Sequence, residues 1–443
     1  EIQACDWSSD VCSSDLLTEI DHDRQRDVKT EFGGRYARAL GAKASLELVA
    51  LRQTEDLDFS SQFIDAGSSL FTLQKNTVET IGRAVLKVRP SDRLSLEAGA
   101  ETARNTLDSH TDFNLGGVPV ALPAASVEVE EKRSEAFAKG VWTPSPRWTL
   151  EAGLRYELSS ISSSGDVNLS KDLHYAKPRI AVAFVPREGA QIRARIEREV
   201  GQLNFDDFVA SSSLNTGVVT TGNPDLNPEQ AWVGELAFEQ SFWGSGSAGV
   251  TLRHYEIKDA VDRAPVFTAN GEVFDAPANI GDATKDEAAL ELSLPLSRLG
   301  VKGGLLRGSS TWRWTEVTDP TTGDKREISG LKPLEWEAHF SQDLPAWNAV
   351  WGIDTFGAWR KTYYRFNQIS TDKLKTWATI YYEYKPRPDL VMRAELSNFT
   401  ERGFRHTRYD FAGPRGSGPP SAVDDRDIQF GRGLYMRIRK SFG

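Results

Sequence analysis

The sequence predicts an all-β chain: one antiparallel β-barrel that crosses a membrane with roughly 17 strands. Three observations carry that expectation. Apolar and polar residues alternate with a period of two along much of the chain. Many alternating runs last about 10 to 14 residues, longer than the usual 5 or 6 of a globular strand and enough for the roughly 9 to 11 of a tilted membrane strand. The connections between runs alternate short and long, as a barrel with tight turns at one end and long loops at the other requires.

Composition narrows the class. The chain has 443 residues, is 39% hydrophobic and has a mean hydropathy of -0.44, yet it holds 12 Trp, 21 Phe and 11 Tyr. No run of about 18 apolar residues occurs, so no transmembrane helix is expected. Aromatics spread from end to end argue against disorder. A net charge of -10 disfavours nucleic-acid binding, which needs a basic footprint.

Residues 1–16, EIQACDWSSDVCSSDL, resemble a translated sequencing adapter and are set aside as a non-native segment. They lack the charged start, apolar centre and cleavage site of a signal peptide. Both cysteines, Cys5 and Cys12, lie there at a spacing that is not a zinc pattern; a disulfide between them stays open. The barrel domain is then 17–443 and free of cysteine. That suits a passage through an oxidising periplasm, and many soluble proteins share it.

The strands follow in order. Leu94, Leu96, Ala98 and Ala100 alternate with Ser95, Glu97, Gly99 and Glu101. Trp148, Leu150, Ala152, Leu154, Tyr156 and Leu158 alternate with Thr149, Glu151, Gly153, Arg155, Glu157 and Ser159. Ile192, Ala194 and Ile196 alternate with Arg193, Arg195 and Glu197; Leu390, Met392, Ala394 and Leu396 with Val391, Arg393, Glu395 and Ser397. One face is apolar and the other charged, without the three- and four-residue spacing of a helix. In a barrel the apolar face meets lipid and the charged face lines the lumen.

Short turns are expected near 41–43, 90–93, 144–147, 186–190, 244–246, 297–303, 344–347 and 385–389, where Pro, Gly, Ser and Asp gather. Long connections are expected near 54–75, 103–125, 160–173, 200–229, 259–282, 317–330, 360–371 and 398–427. An antiparallel barrel closes with an even number of strands, so an odd count means either a miscounted strand or a missing N-terminal part, and the adapter-like start favours the second. Trp142, Trp148, Phe242, Trp243, Trp347, Trp351 and Phe442 lie beside short turns or the chain end, where an interfacial belt places them. The competing reading is that tryptophan fills a sheet core.

Three stretches resemble one family. ERE-VGQLNFDDF (Glu197 to Phe208) followed by GNPDLNPEQAWVGELAFEQSF (Gly222 to Phe242) is similar to the barrel of TonB-dependent outer-membrane receptors, in which a GNP-x-L-x-PE segment opens a strand descending from an extracellular loop. SAGVTLRHYEIKDAV (Ser247 to Val261) resembles that family's next strand. LSNFTERGFRHTRYD (Leu396 to Asp410) and the closing RGLYMRIRKSFG resemble its last two. The tail fits the signal read by the barrel-insertion machinery, at Arg432, Gly433, Met436, Ile438 and Phe442; Gly443 follows where the family stops on an aromatic residue. The resemblance implies a barrel truncated to roughly 17 of 22 strands. It also implies that the plug and the short TonB-binding segment of the family are absent here. In the GNP segment, Pro224 disfavours helix at Asn223 and Pro228 blocks ladder pairing before Glu229: a structural role.

No catalytic chemistry is expected. None of the six histidines lies within four residues of another, so a HExxH-type metal site is absent. There is no Walker-type phosphate loop and no Gly-x-Ser-x-Gly elbow. Asp206-Asp207 and Asp424-Asp425 read as solvated loop acids. No cofactor and no metal are expected.

Two loops are ligand candidates. One carries Arg360, Tyr363, Tyr364 and Arg365; the other Arg402, Arg405, Arg408 and Tyr409. A guanidinium forks a carboxylate or catecholate while a ring supplies area, which suits an anionic, partly aromatic ligand such as a ferric siderophore. The competing reading, and the commoner use of such cations, is contact with lipopolysaccharide phosphates or a solvated rim. The function expected is a TonB-dependent transporter in the outer membrane of a Gram-negative bacterium, importing a scarce solute such as a metal chelate. Its partners would be TonB through the missing plug, the barrel assembly machinery, and lipid with lipopolysaccharide. The alternatives are a passive porin-like channel and a soluble β-rich binding or adhesive protein.

Overall fold

The structure, a computed structural model, describes residues 20–441 except 65–67, 215–217 and 268–270. One antiparallel ladder dominates it. Its long strands are β1 (Ile20–Ala39), β2 (Ala44–Ile64), β3 (Ser68–Ser91), β4 (Leu94–Leu115), β5 (Ser126–Ser145), β6 (Trp148–Gly165), β7 (Leu169–Arg187), β8 (Ala190–Val200) and β9 (Gln230–Phe242). They continue with β10 (Gly246–Lys258), β11 (Ala283–Pro295), β12 (Gly304–Thr318), β13 (Leu334–Leu344), β14 (Ala349–Phe356), β15 (Trp377–Arg387), β16 (Leu390–Ser397) and β17 (Gly433–Lys440). Each pairs with the next in chain order; among the described residues no pairing joins β17 to β1. The helical pieces there are short 3-10 turns at Phe205–Phe208, Leu296–Leu299 and Pro345–Trp347.

The alternation sorts the side chains onto two faces. Register places Leu46, Leu86, Ala98, Ala138 and Leu154 side by side on one face. Ile196, Leu236, Phe238, Leu252, Leu290, Met392, Leu434, Met436 and Ile438 continue that face and are exposed. The opposite face carries charge and is the more covered one. Aromatics mark both ends of the apolar band: Trp142, Trp148, Trp243 and Trp347 are exposed near the tight turns, and Trp232 and Trp314 near the loops. The step from Trp232 to Trp243 covers roughly 37 Å of strand, or about 28 Å of height at a 40° tilt, which matches a bilayer core.

The eight tight turns fall where expected. Three of the expected long connections, 54–75, 103–125 and 160–173, are instead largely strand, because β2 to β4 and β6 run far past the apolar band. The physical reason is an inversion of polarity. On β4 the outer positions change from Leu96, Ala98 and Ala100 to Arg104, Asp108 and Asp112, while the inner positions change from Glu97 and Glu101 to Ala103, Leu107 and Phe113. β2 inverts likewise, with Leu57 and Phe59 on the inner face, as does β6 with Ile161. The inward apolar residues form a core with Phe71, Val129 and the incoming loop residues Phe208, Val209, Leu214 and Leu226.

Later connections fold into two small sheets. One joins Ser211–Ser213, Val218–Thr220, Val273–Asn279 and Val261–Phe267; the other joins Trp359–Tyr364, Gln368–Leu374, Gly403–Asp410 and Ala422–Gln429.

Candidate functional site

The inner face is built from the polar half of each alternating strand. Its carboxylates and cations form a lateral series of ion pairs. Glu135 of β5 meets Arg155 at 3.0 Å and Lys177 at 2.5 Å. Arg179 meets Glu151 at 2.9 Å and Glu197 at 2.6 Å. Glu235 takes Arg195 at 3.1 Å and Arg253 at 2.7 Å; Glu287 takes Arg253 at 3.6 Å and Arg313 at 2.9 Å, and Arg313 reaches Glu335 at 2.5 Å. The face is thus wet and charged, with its charges matched between strands.

The segment Gly222 to Glu229 locks the 201–229 loop into the mouth. A Cβ at Gly222 would overlap the carbonyl oxygen of Phe208, so only glycine fits this close approach. Asn223 donates from its side chain to the Pro277 carbonyl (2.9 Å) and accepts from the Asp225 N–H (2.9 Å). Leu226 enters the apolar core, and Lys171 of β7 meets Asp225 at 2.5 Å. Glu229 accepts from the Val261 N–H at 3.2 Å, and burial raises its pKa. The structural role expected for this motif agrees with these contacts.

A second lock joins the later loops. Asp319, almost wholly buried, accepts both oxygens' worth of bonds from Arg415 Nη2 (2.8 and 2.6 Å), one from Arg326 and two from the Thr321 and Thr322 N–H groups. Arg326 also reaches Asp262 at 2.8 Å, and both guanidinium groups lie over the Tyr364 ring, at 4.6 and 5.5 Å. Burial pushes the Asp319 carboxyl up, but the bonds from Arg415, Thr322, Arg326 and Thr321 outweigh it and hold the pKa below the usual value. Asp275, from the first small sheet, accepts from the Phe366 N–H at 3.0 Å. None of Asp262, Asp319, Arg326 and Arg415 was singled out by the sequence. The turn-forming DPTTGD around Asp319 was a signal for its own bend, but nothing local names a partner 96 residues away.

The two candidate ligand loops meet in the second small sheet, where Gln368–Leu374 pairs with both Trp359–Tyr364 and Gly403–Asp410. Register puts Arg360, Tyr364, Arg405 and Tyr409 on one face and Tyr363 and Arg408 on the other. Arg365 and Arg402 flank the strands. Most of these cations already have carboxylates: Arg360 forks Glu327 (2.8 and 3.1 Å), Arg405 forks Asp425, and Arg408 meets Asp410 at 3.0 Å. The exposed Asp425 carboxyl is drawn down to about 2, first by its bond from Arg405. Arg365 bonds Gln368 at 2.9 Å, and burial lowers its pKa, as it does that of Arg402. Burial raises Tyr363 and Tyr364. Tyr409 is the ring that stays exposed.

Of the tail positions, Gly433 opens β17, Met436 and Ile438 face outward, and Arg432 meets Glu401 at 2.9 Å. Phe442 lies outside the described residues, as do Cys5, Cys12 and the 1–16 segment. Among the described residues no group of three or more His, Cys, Asp or Glu could hold a metal ion.

Comparisons with known proteins bear on the fold. The siderophore receptor PiuA from Acinetobacter baumannii superposes with a TM-score of 0.63 at 10% identity, over 96% of this chain and 65% of that one. The ferric yersiniabactin uptake receptor FyuA from Yersinia pestis gives 0.65 at 11%, over 96% and 62%. The copper transporter OprC gives 0.65 at 13%, over 96% and 68%. The chain thus spans about two thirds of the length of these structures, and at such identities the likeness speaks for the fold alone. No curated protein matches the sequence. The family described as "TonB dependent receptor-like, beta-barrel" matches residues 13–399, nearly the whole ladder. By that match the chain belongs to the TonB-dependent receptor family, through its β-barrel domain.

Proposed function

We propose that the chain forms the wall of a TonB-dependent transporter in the outer membrane of a Gram-negative bacterium, which draws in a scarce anionic solute such as a ferric siderophore or a related metal chelate. The observation that carries this reading is the pairing of an outward apolar band, bounded by aromatics at both ends, with a charged inner face. Such a band fits lipid, and such a lining fits a wet passage. Family membership supports TonB as the partner that supplies energy, through the plug that family members carry. No covalent step is involved. The siderophore and copper proteins that share the fold support a metal-chelate cargo.

The ligand side is the face of the second small sheet that presents Arg360, Tyr364, Arg405 and Tyr409, with Tyr363, Arg365, Arg402 and Arg408 behind or beside it. Arg405 and Tyr409 are the exposed pair, so an anionic aromatic ligand would exchange Asp425 for its own oxygens and lay a ring against Tyr409. In cells that make the intact receptor and depend on it for a chelate, loss of TonB should abolish uptake. Arg405→Ala with Tyr409→Ala should weaken ligand binding and leave the barrel intact. Uptake that continues without TonB would replace this reading with the passive porin.

A further inference from the structure

The outer face of β2 to β6 carries an apolar groove with a cationic rim. The groove encloses about 560 Å³. Gly82, Ala84, Ala100 and Ala136 form its floor, between Leu48 on one side and Tyr156 with Leu158 on the other. The floor is low because adjacent strands place small residues side by side: Ala84 faces Ala100, which faces Ala136. Both walls are exposed, so the groove opens away from the protein.

Directly above, register aligns one outward row: Arg52, Thr80, Arg104, Lys132 and Ser160. Arg52 donates to Thr80 at 3.2 Å. Arg104 and Lys132 share the single carboxylate of Glu130, at 2.5 and 2.9 Å. Three cations stand against Glu130 and against Asp172, which follows Ser160 in the same row on β7, so the rim keeps a positive excess that is centred on Arg52, Arg104 and Lys132. The row lies roughly 7 to 14 Å above the groove floor, at two to four residues of strand rise. Higher still, Asp56, Asn76, Asp108 and Glu128 form a second outward row that is acidic. An anion is therefore held at the level of the cations and repelled above it.

We propose that this surface binds an acylated, phosphorylated lipid of the outer leaflet, with an acyl chain in the groove and phosphate on Arg52, Arg104 and Lys132. The inference rests on the outer-membrane placement proposed above. Hydrocarbon alone would select the groove but not the cations; a free phosphate would select the cations but not the groove. The combination selects an amphiphile with both parts, and its height matches the boundary where the strands invert their polarity.

The test uses the intact receptor, purified in a non-ionic detergent, and native mass spectrometry with added lipid A, its dephosphorylated form, and phosphatidylcholine. Lipid A should bind one to one, and the other two should bind far more weakly. Arg52→Gln, Arg104→Gln and Lys132→Gln together should lower affinity about a hundredfold, at roughly fivefold per cation. Ala100→Phe fills the groove with the cations intact and should also lower it. Glu130→Gln should raise affinity, which no misfolded variant would do. Equal binding of lipid A by all variants, or no preference for phosphate, overturns the proposal. A protein that migrates as a heat-modifiable barrel yet binds no lipid A sinks this site alone; one that shows no barrel in detergent or lipid sinks the membrane reading beneath it.

Discussion

The first seven strands and the last ten cap the outer end of one barrel in different ways. β1 to β7 run 18 to 24 residues, and β2 to β7 continue past the apolar band around an apolar core with Phe71, Leu107, Ile161, Phe208 and Leu226. β8 to β17 stop after 8 to 15 residues, and their loops are stitched by Asp319, Arg326, Arg415 and Asp262. One half uses burial of hydrocarbon, which is non-directional and tolerates small shifts. The other adds buried ion pairs, which work only when every partner is present, to a smaller apolar cluster around Val233, Ile257 and Val317. The later loops are accordingly the half in which one substitution loosens several segments together.

Substitutions at the two centres should make that difference visible. Asp319→Ala takes its carboxylate from the buried Arg415, leaves Arg326 with the Asp262 carboxylate, and should destabilise by about 3 to 5 kcal/mol. Proteolysis of the folded receptor should then open the 319–333 and 398–432 loops and spare β2 to β6. Phe208→Ala should be of similar size, about 3 to 5 kcal/mol, but should expose the 201–229 loop instead. If both variants open the same sites, the two halves are one cooperative unit and the comparison fails.

Leu154→Arg tests what the halves share. It places charge on the apolar band and should lower stability of the folded, lipid-inserted protein by about 2 to 4 kcal/mol at the bilayer midplane. A folded form that tolerates it without loss would mean that lipid does not meet this face. Gly222→Ala should be milder, about 1 to 3 kcal/mol, as the Phe208 backbone gives way to the new Cβ.

Acid should separate the halves with the smallest effect. The folded pKa of Asp319 lies below its ordinary value, so its contribution is present above that ordinary value and is lost as pH falls through the folded one. Asp275 has the opposite sign: burial raises its pKa, so protonation in acid relieves it. Titration below about pH 4 should loosen the later loops first. Asp275→Asn should make that loosening sharper, read by proteolysis at each pH.

Much of the ladder was legible because a membrane strand repeats one simple constraint. Trp148 to Leu158 shows apolar residues at every second position, and the short turn before it, PSPR, is rich in Pro. The upper walls were not legible, because Arg104, Asp108 and Asp112 turn outward where a membrane strand keeps its apolar residues. The same period continued in the opposite phase at Ala103, Leu107 and Phe113. The loop sheets were hidden for another reason. Gly403–Asp410 pairs with Gln368–Leu374 across two intervening barrel strands, and no local pattern encodes that partnership. Six of the eight candidate residues were brought into one sheet, with Arg365 and Arg402 beside it, but the counter-ions Glu327 and Asp425 come from other segments. An arginine in a sequence therefore does not reveal whether it is free to receive an anion.

Sharing of carboxylates along the inner face has its own consequence. Glu235 serves Arg195 and Arg253, and Glu287 serves Arg253 and Arg313. Pulling one guanidinium away leaves its former acid still held by the other. The inner wall can thus lose one cation contact without exposing a bare carboxylate, so its charge pattern survives a local rearrangement.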